Sequence, residues 1–216
     1  MRLTLALCLV CASRVAAACG APVCLVDPEA LALTQVITFE ETRASYGPGH
    51  AIPDVLALDG ASFAERFAGQ VLSANGNHDV VTGAVLPPLT LMPGAEGENL
   101  SVVYFGGNHV LNGYGVAGYP KRHAQGEGAI AVLFDVDQSA LSFQLRGGED
   151  GAATAVFYRR GGQEIMTVEL PPVGEFAFGF LRATGEADIA GVLITNTDPE
   201  GLALDNLRFG KSPDLS

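Results

Sequence analysis

Residues 153–181 read ATAVFYRRGGQEIMTVELPPVGEFAFGFL, and the placing of turn residues in them decides the fold. Two runs rich in β-branched and aromatic residues, 153–158 and 164–170, flank Arg159-Arg160-Gly161-Gly162, a hairpin signature. Beyond the prolines, Phe176, Phe178 and Phe180 recur at every second position, which makes one face of a third strand aromatic. Just upstream, Leu141, Phe143 and Leu145 alternate in the same way, and 128–134 is an apolar run. Downstream, 189–195 and 202–209 form a last pair joined by Asn196-Thr197-Asp198-Pro199-Glu200-Gly201. Short strands about every ten residues, punctuated by Gly, Pro, Asn and Asp, predict an all-β protein built as a two-sheet β-sandwich.

Working towards the N-terminus, Val36-Ile37-Thr38-Phe39 reads as the opening strand of a domain spanning 36–210. Residues 61–68, bracketed by Gly60 and Gly69, and 99–105 read as further strands. Asp27-Pro28-Glu29 fits a short helical turn, with Asp as its cap and Pro in the first position. Residues 106–128, dense in Gly, Tyr, Asn and His, read as one long loop.

The front of the chain predicts export. Arg2 precedes an apolar run from Leu3 to Ala12, and Ala16-Ala17-Ala18 offers a small-residue cleavage site, so residues 1–18 are expected to be a signal peptide. The apolar run is too short for a permanent span, and no other stretch of the mature chain is long enough to cross a membrane. Losing Arg2 and Arg14 with that leader would deepen the net charge from −12 to −14. A charge of that sign repels nucleic acid and anionic membrane surfaces. Two cysteines follow the leader, Cys19 and Cys24, and in an oxidising compartment they can close a disulfide within the N-terminal segment 19–35. A rival reading lipidates Cys19. Residues 211–216 are expected to be a disordered tail, leaving a secreted or periplasmic protein.

Three stretches carry a family resemblance. They are Ile37-Thr38-Phe39-Glu40-Glu41, the 153–170 hairpin followed by 175–180, and Leu204-Asp205-Asn206-Leu207-Arg208-Phe209-Gly210. Together they resemble bacterial exported proteins of the PEP-CTERM-associated type, whose jelly-roll domain is akin to carbohydrate-binding modules. The sorting tail of that family does not follow Gly210. The resemblance implies a jelly-roll-like sandwich, a structural calcium ion between first and last strands, and a glycan or cell-surface component as partner.

On that basis Glu40, Glu41 and Asp205 are candidate calcium ligands. Period-two alternation from Leu207 and Phe209 places Asp205 on the core face, where an unpaired carboxylate needs a cation or donors. The alternative is that Asp205 accepts backbone N–H bonds at a strand end. In 106–128, Tyr114 and Tyr119 with Asn108 and Asn112 have the chemistry of a sugar-binding surface, rings to stack on and amides to orient hydroxyls. A plain solvated loop is the other reading of the same residues. Asp135-Val136-Asp137-Gln138-Ser139 echoes a calcium loop but lacks its Gly and its final Glu, so it reads as a turn. The histidines show no zinc spacing, and no Gly-x-Ser-x-Gly elbow occurs. The sequence thus predicts an exported, non-catalytic, calcium-stabilised sandwich with a glycan-binding or surface-interaction role. A secreted polysaccharide hydrolase or lyase is the alternative.

Overall fold

The computed structural model describes residues 19–147, 150–171 and 174–211. The expected signal peptide and the residues after 211 lie outside these. The strands in the first half are β1 Val23–Val26, β2 Leu33–Ile37, β3 His50–Ile52, β4 Leu56–Leu58, β5 Ala61–Ala64, β6 Arg66–Phe67, β7 Val71–Asn75, β8 His78–Thr82 and β9 Leu91–Met92. They continue as β10 Leu100–Phe105, β11 Asn108–Gly113, β12 Ile130–Gln138, β13 Ala140–Gly147, β14 Ala153–Tyr158, β15 Glu164–Leu170, β16 Phe176–Arg182, β17 Ile189–Asn196 and β18 Leu202–Lys211.

Two antiparallel sheets stack as a jelly-roll-like β-sandwich. The first runs β1-β16-β13-β18-β11-β10-β3, with β2 also pairing β18, and the second runs β15-β14-β17-β12-β5-β4. The alternating residues of the opening stretch fill the space between them. Leu141, Phe143, Leu145, Phe178 and Phe180 from the first sheet meet Phe63, Val132, Phe134, Phe157 and Val192 from the second. Phe180 lies 4.9 Å from Phe143 and 5.0 Å from Phe157 between ring centroids, an offset aromatic chain across the core.

A second apolar cluster lies on the outer face of the second sheet. Ala64, Ala131, Ala190 and Leu193 point away from the main core and are covered by Phe67, Leu89 and Leu91. The hairpin β7–β8 belongs to neither main sheet and lies over this same outer face.

The segment 19–35, expected to precede the domain, is part of it. Val23 and Cys24 are buried where β1 pairs β16, and Cys24 is joined to Cys19 by the expected disulfide. Asp27 caps the turn Pro28–Ala30 by accepting the Glu29 N–H at 3.0 Å. From there the chain crosses the outer face of the first sheet to reach β2, which pairs β18. Gly179 makes this crossing fit: a Cβ there would stand 2.8 Å from Pro28 Cα.

Two other readings are corrected. Residues 61–68 divide into β5 and β6, which pair with different partners, β12 and β9. Residues 106–128 are not one loop: Gly106 and Gly107, both at positive φ, turn the chain into β11, an interior strand of the first sheet. Its polar Asn108, His109 and Asn112 hide the strand pattern.

Candidate functional site

The geometry of β18 sets the site. Ser142 pairs Arg208 and Gln144 pairs Asp205, so two residues of β13 step along while β18 advances three. One extra residue in a strand is a β-bulge, and it inverts the in–out alternation beyond it. Asn206 takes the strained position at φ 46°, a left-handed conformation that Asn tolerates better than most side chains. Asp205 is therefore aligned with the outward-facing Gln144, not with the core residues Leu207 and Phe209. This corrects the expectation of an inward Asp205. The spacing Leu202, Leu204, Leu207, Phe209 carries the signal, because the apolar period runs two, three, two.

Asp205 is nevertheless fully buried, beneath other polar side chains. Its Oδ2 accepts from Asn108 Nδ2 at 2.6 Å, Arg146 Nε at 3.0 Å and Asn206 Nδ2 at 3.0 Å. Its Oδ1 accepts from the Asn206 backbone N–H at 2.7 Å. Glu40 approaches the same place from the loop after β2, where its Oε1 accepts the His109 N–H at 2.8 Å. Structure thus brings Glu40, Asn108 and Asp205 into one neighbourhood, while Glu41 is exposed.

These residues do not fit a calcium ion. Calcium would be ringed by oxygen acceptors. The partners of Asp205 are N–H donors, including a guanidinium that already neutralises its charge. Unfolding midpoints measured in EDTA and in millimolar calcium are expected to coincide; a calcium-dependent rise would show a site on other residues.

Of the expected sugar-binding residues, Tyr114 and Asn112 are buried and Tyr119 is 38% exposed. Tyr114 is buried and its hydroxyl donates to Pro48 O at 2.7 Å. Tyr119 packs edge-on against it, centroids 5.5 Å apart, and donates to Gly49 O at 3.4 Å. Asn112 is buried on β11. The two tyrosine hydroxyls tie the 46–50 turn to the segment that follows β11.

Beside Asp205 the outer face of the first sheet forms a groove of about 360 Å³. Its floor is Ser142 and Gln144 of β13 with Asn206 and Arg208 of β18, and the 28–33 crossing gives it an apolar wall at Leu31 and Leu33. Asn206 Nδ2 donates to Gln144 Oε1 at 2.9 Å as well as to Asp205, so both amides are held in fixed orientation. Arg66, Arg146, Arg159, Arg160 and Arg182 each lie within 4 Å of a carboxylate. Arg43, Arg122 and Arg208 are exposed and have no such partner among the described residues, and of these three Arg208 lines the groove. Sequence reasoning passed over Gln144, Asn206 and Arg208 because only the strand pairing aligns them.

A separate set of acids is buried where the β7–β8 hairpin meets the sandwich. Burial pushes the Glu65 carboxyl up to about 8, with Asp79 adding to the shift and Arg66, 2.6 Å away, opposing it. Burial likewise takes Asp79 up to about 6 against the pull of the Ala129 N–H, and Glu127 up to about 7 with help from Asp198 and Glu200. His78 Nδ1 closes on Glu127 Oε2, and burial holds the imidazole below its usual range. Charged forms are disfavoured on both sides of that contact.

No protein-family model and no curated protein matches the chain. A solved structure of a family 29 carbohydrate-binding module, a lysine-to-alanine variant studied for ligand recognition, is similar over 51% of this chain and 76% of that one. The two share 13% identity at a TM-score of 0.30.

Proposed function

We propose that this is an exported, non-catalytic β-sandwich that binds a carboxylate-bearing saccharide in the groove on its first sheet. One observation carries the reading: an arginine free of protein carboxylates, in an acidic chain, faces a groove beside two pre-oriented amides. A guanidinium matches a carboxylate in planar, bidentate fashion, and the amides suit the neighbouring hydroxyls. Leu31 and Leu33 offer an apolar wall to the C–H face of a sugar ring, the mixed lining typical of ligand sites. The chain's overall negative charge opposes an acidic ligand at long range, but at physiological salt that field is screened beyond about 8 Å. Glu29 is the carboxylate among the groove residues, so the pair of acids needed for glycoside hydrolysis does not face this groove. Export is supported by the leader pattern and by the disulfide that follows it directly.

Calorimetric titration with a galacturonate hexasaccharide tests the reading. Arg208→Ala should weaken binding at least about tenfold, the size of one charge-assisted hydrogen bond, and Gln144→Ala by about fivefold. Failure of the wild type to bind, or full affinity in Arg208→Ala, would sink it.

A further inference from the structure

The outer face of the second sheet carries a different groove, and a strap borders it. The β7–β8 hairpin is hydrogen-bonded as a strand only to itself, and it is fixed at both ends. At its base the Leu86 N–H donates to Ala68 O at 2.8 Å. Near its tip the Asp79 N–H donates to Glu127 O at 3.1 Å, and Asp79 Oδ2 accepts the Ala129 N–H at 3.0 Å. The turn itself presses on Gly115, where a Cβ would stand 2.2 Å from Asn77 O. Val81 alone packs into the apolar cluster beneath.

Between these two anchorages lies a groove of about 390 Å³, within the range of small-ligand sites. Thr154 of β14 and Thr195 of β17 are paired in register on its floor, half-buried. Among the described residues neither hydroxyl is engaged in a side-chain hydrogen bond, so each is available as donor and acceptor. Tyr158 stands at one side, its hydroxyl fixed by Gln70 Nε2 at 3.2 Å. Val156 and Leu193 supply apolar surface among these polar groups. The ionisable acids and bases lining the groove are Asp79 and Glu164; no lysine, arginine or histidine does so.

We propose that this strapped groove is a second binding site, for an uncharged saccharide chain. Alternating hydroxyl and aliphatic surface matches the alternating edges and C–H faces of sugar rings. Carboxylates without a basic partner in the groove would repel the uronate that suits the opposite face. The two grooves lie on opposite outer faces of the sandwich, so the inference stands independently of the Arg208 site.

Saturation-transfer and titration NMR with β-1,4 and α-1,4 glucose hexasaccharides provides the test, with hydrogen exchange followed in parallel. At least one hexasaccharide should bind the wild type and slow exchange in residues 71–82. Thr195→Tyr, which fills the groove, should weaken that binding at least tenfold. Thr154→Val, which keeps the volume and removes a hydroxyl, should weaken it severalfold and serves if the tyrosine variant fails to fold. Arg208→Ala should leave it unchanged. Absence of binding by both sugars, wild-type affinity in Thr154→Val, or exchange protection confined to the Arg208 groove would each overturn the site.

Discussion

Stability is expected to fall as pH rises from about 5 to about 8. Glu65, Glu127 and Asp79 keep their protons in the folded protein up to about 8, 7 and 6, against ordinary values of 4.5, 4.5 and 3.8. Between the ordinary and the raised value the unfolded chain has released a proton that the folded chain retains. The folded state then binds more protons, so unfolding free energy decreases with pH. Below the ordinary values the penalty is absent; above about 8 it is complete and the slope flattens. One unit is about 1.4 kcal/mol, so Glu65 alone contributes on the order of 4 kcal/mol across the window. Asp188 titrates on the other side. Burial raises it, but Arg182 and Arg159 outweigh burial and hold it below its usual range, so the stability it contributes is lost only in stronger acid. Urea midpoints at pH 5, 6.5 and 8 check the trend. Self-repulsion of an acidic chain slopes the same way, so Glu65→Gln isolates the buried group. That variant should flatten the profile and unfold later than wild type at pH 8. A flat wild-type profile, or one unchanged in Glu65→Gln, would overturn the account.

The core of the sandwich was legible because its residues obey period two without interruption. Phe178 and Phe180, with Leu141, Phe143 and Leu145, state the inner face of two adjacent strands, while Phe176 on the same period stands at the strand end 62% exposed. Where one strand breaks period, the reading broke with it. In β18 the bulge at Asn206 shifted Asp205 outward, and a rule that assumes strict alternation assigned it to the wrong face. Polar strands were missed for a related reason. Asn108, His109 and Asn112 look like loop residues, yet β11 lies inside the first sheet, where Asp205 accepts from Asn108 and Glu40 accepts the His109 N–H.

Pairing decides the candidate groove more than composition does. Gln144 and Asp205 are 61 positions apart and become neighbours only through the β13–β18 register. Asn108 reaches the same place through the turn before β11, and Glu40 from the loop after β2. Tyr114 shows the converse, a residue whose chemistry suits a ligand but whose position in the chain buries it. Export and ligand class rest on sequence pattern and side-chain chemistry, and the grooves follow from strand order.

Asp205→Ala is expected to cost about 3–5 kcal/mol of stability, as much as truncating a core phenylalanine of the first sheet. The removed carboxylate is wholly buried and answers four N–H donors, one of them from a guanidinium side chain only 20% exposed. Truncation leaves the guanidinium only the exposed Glu175 carboxylate, 3.7 Å away, and leaves the Asn206 N–H without its acceptor, which is costlier than losing the pair itself. Two comparisons separate these terms. Asp205→Asn keeps the shape but sets an amide against donors, so it should recover little. The double variant Asp205→Leu/Arg146→Met removes both partners and should recover much of the loss, because a packed apolar pair needs no acceptor. Urea unfolding reads each case as a midpoint shift at unchanged slope. The same anchor orients Asn206, whose amide fixes Gln144 in the groove, so Asp205→Asn should weaken uronate binding even where the protein stays folded. A loss under about 1 kcal/mol in Asp205→Ala would place this carboxylate among ordinary surface ion pairs and remove the physical basis for a pre-oriented groove.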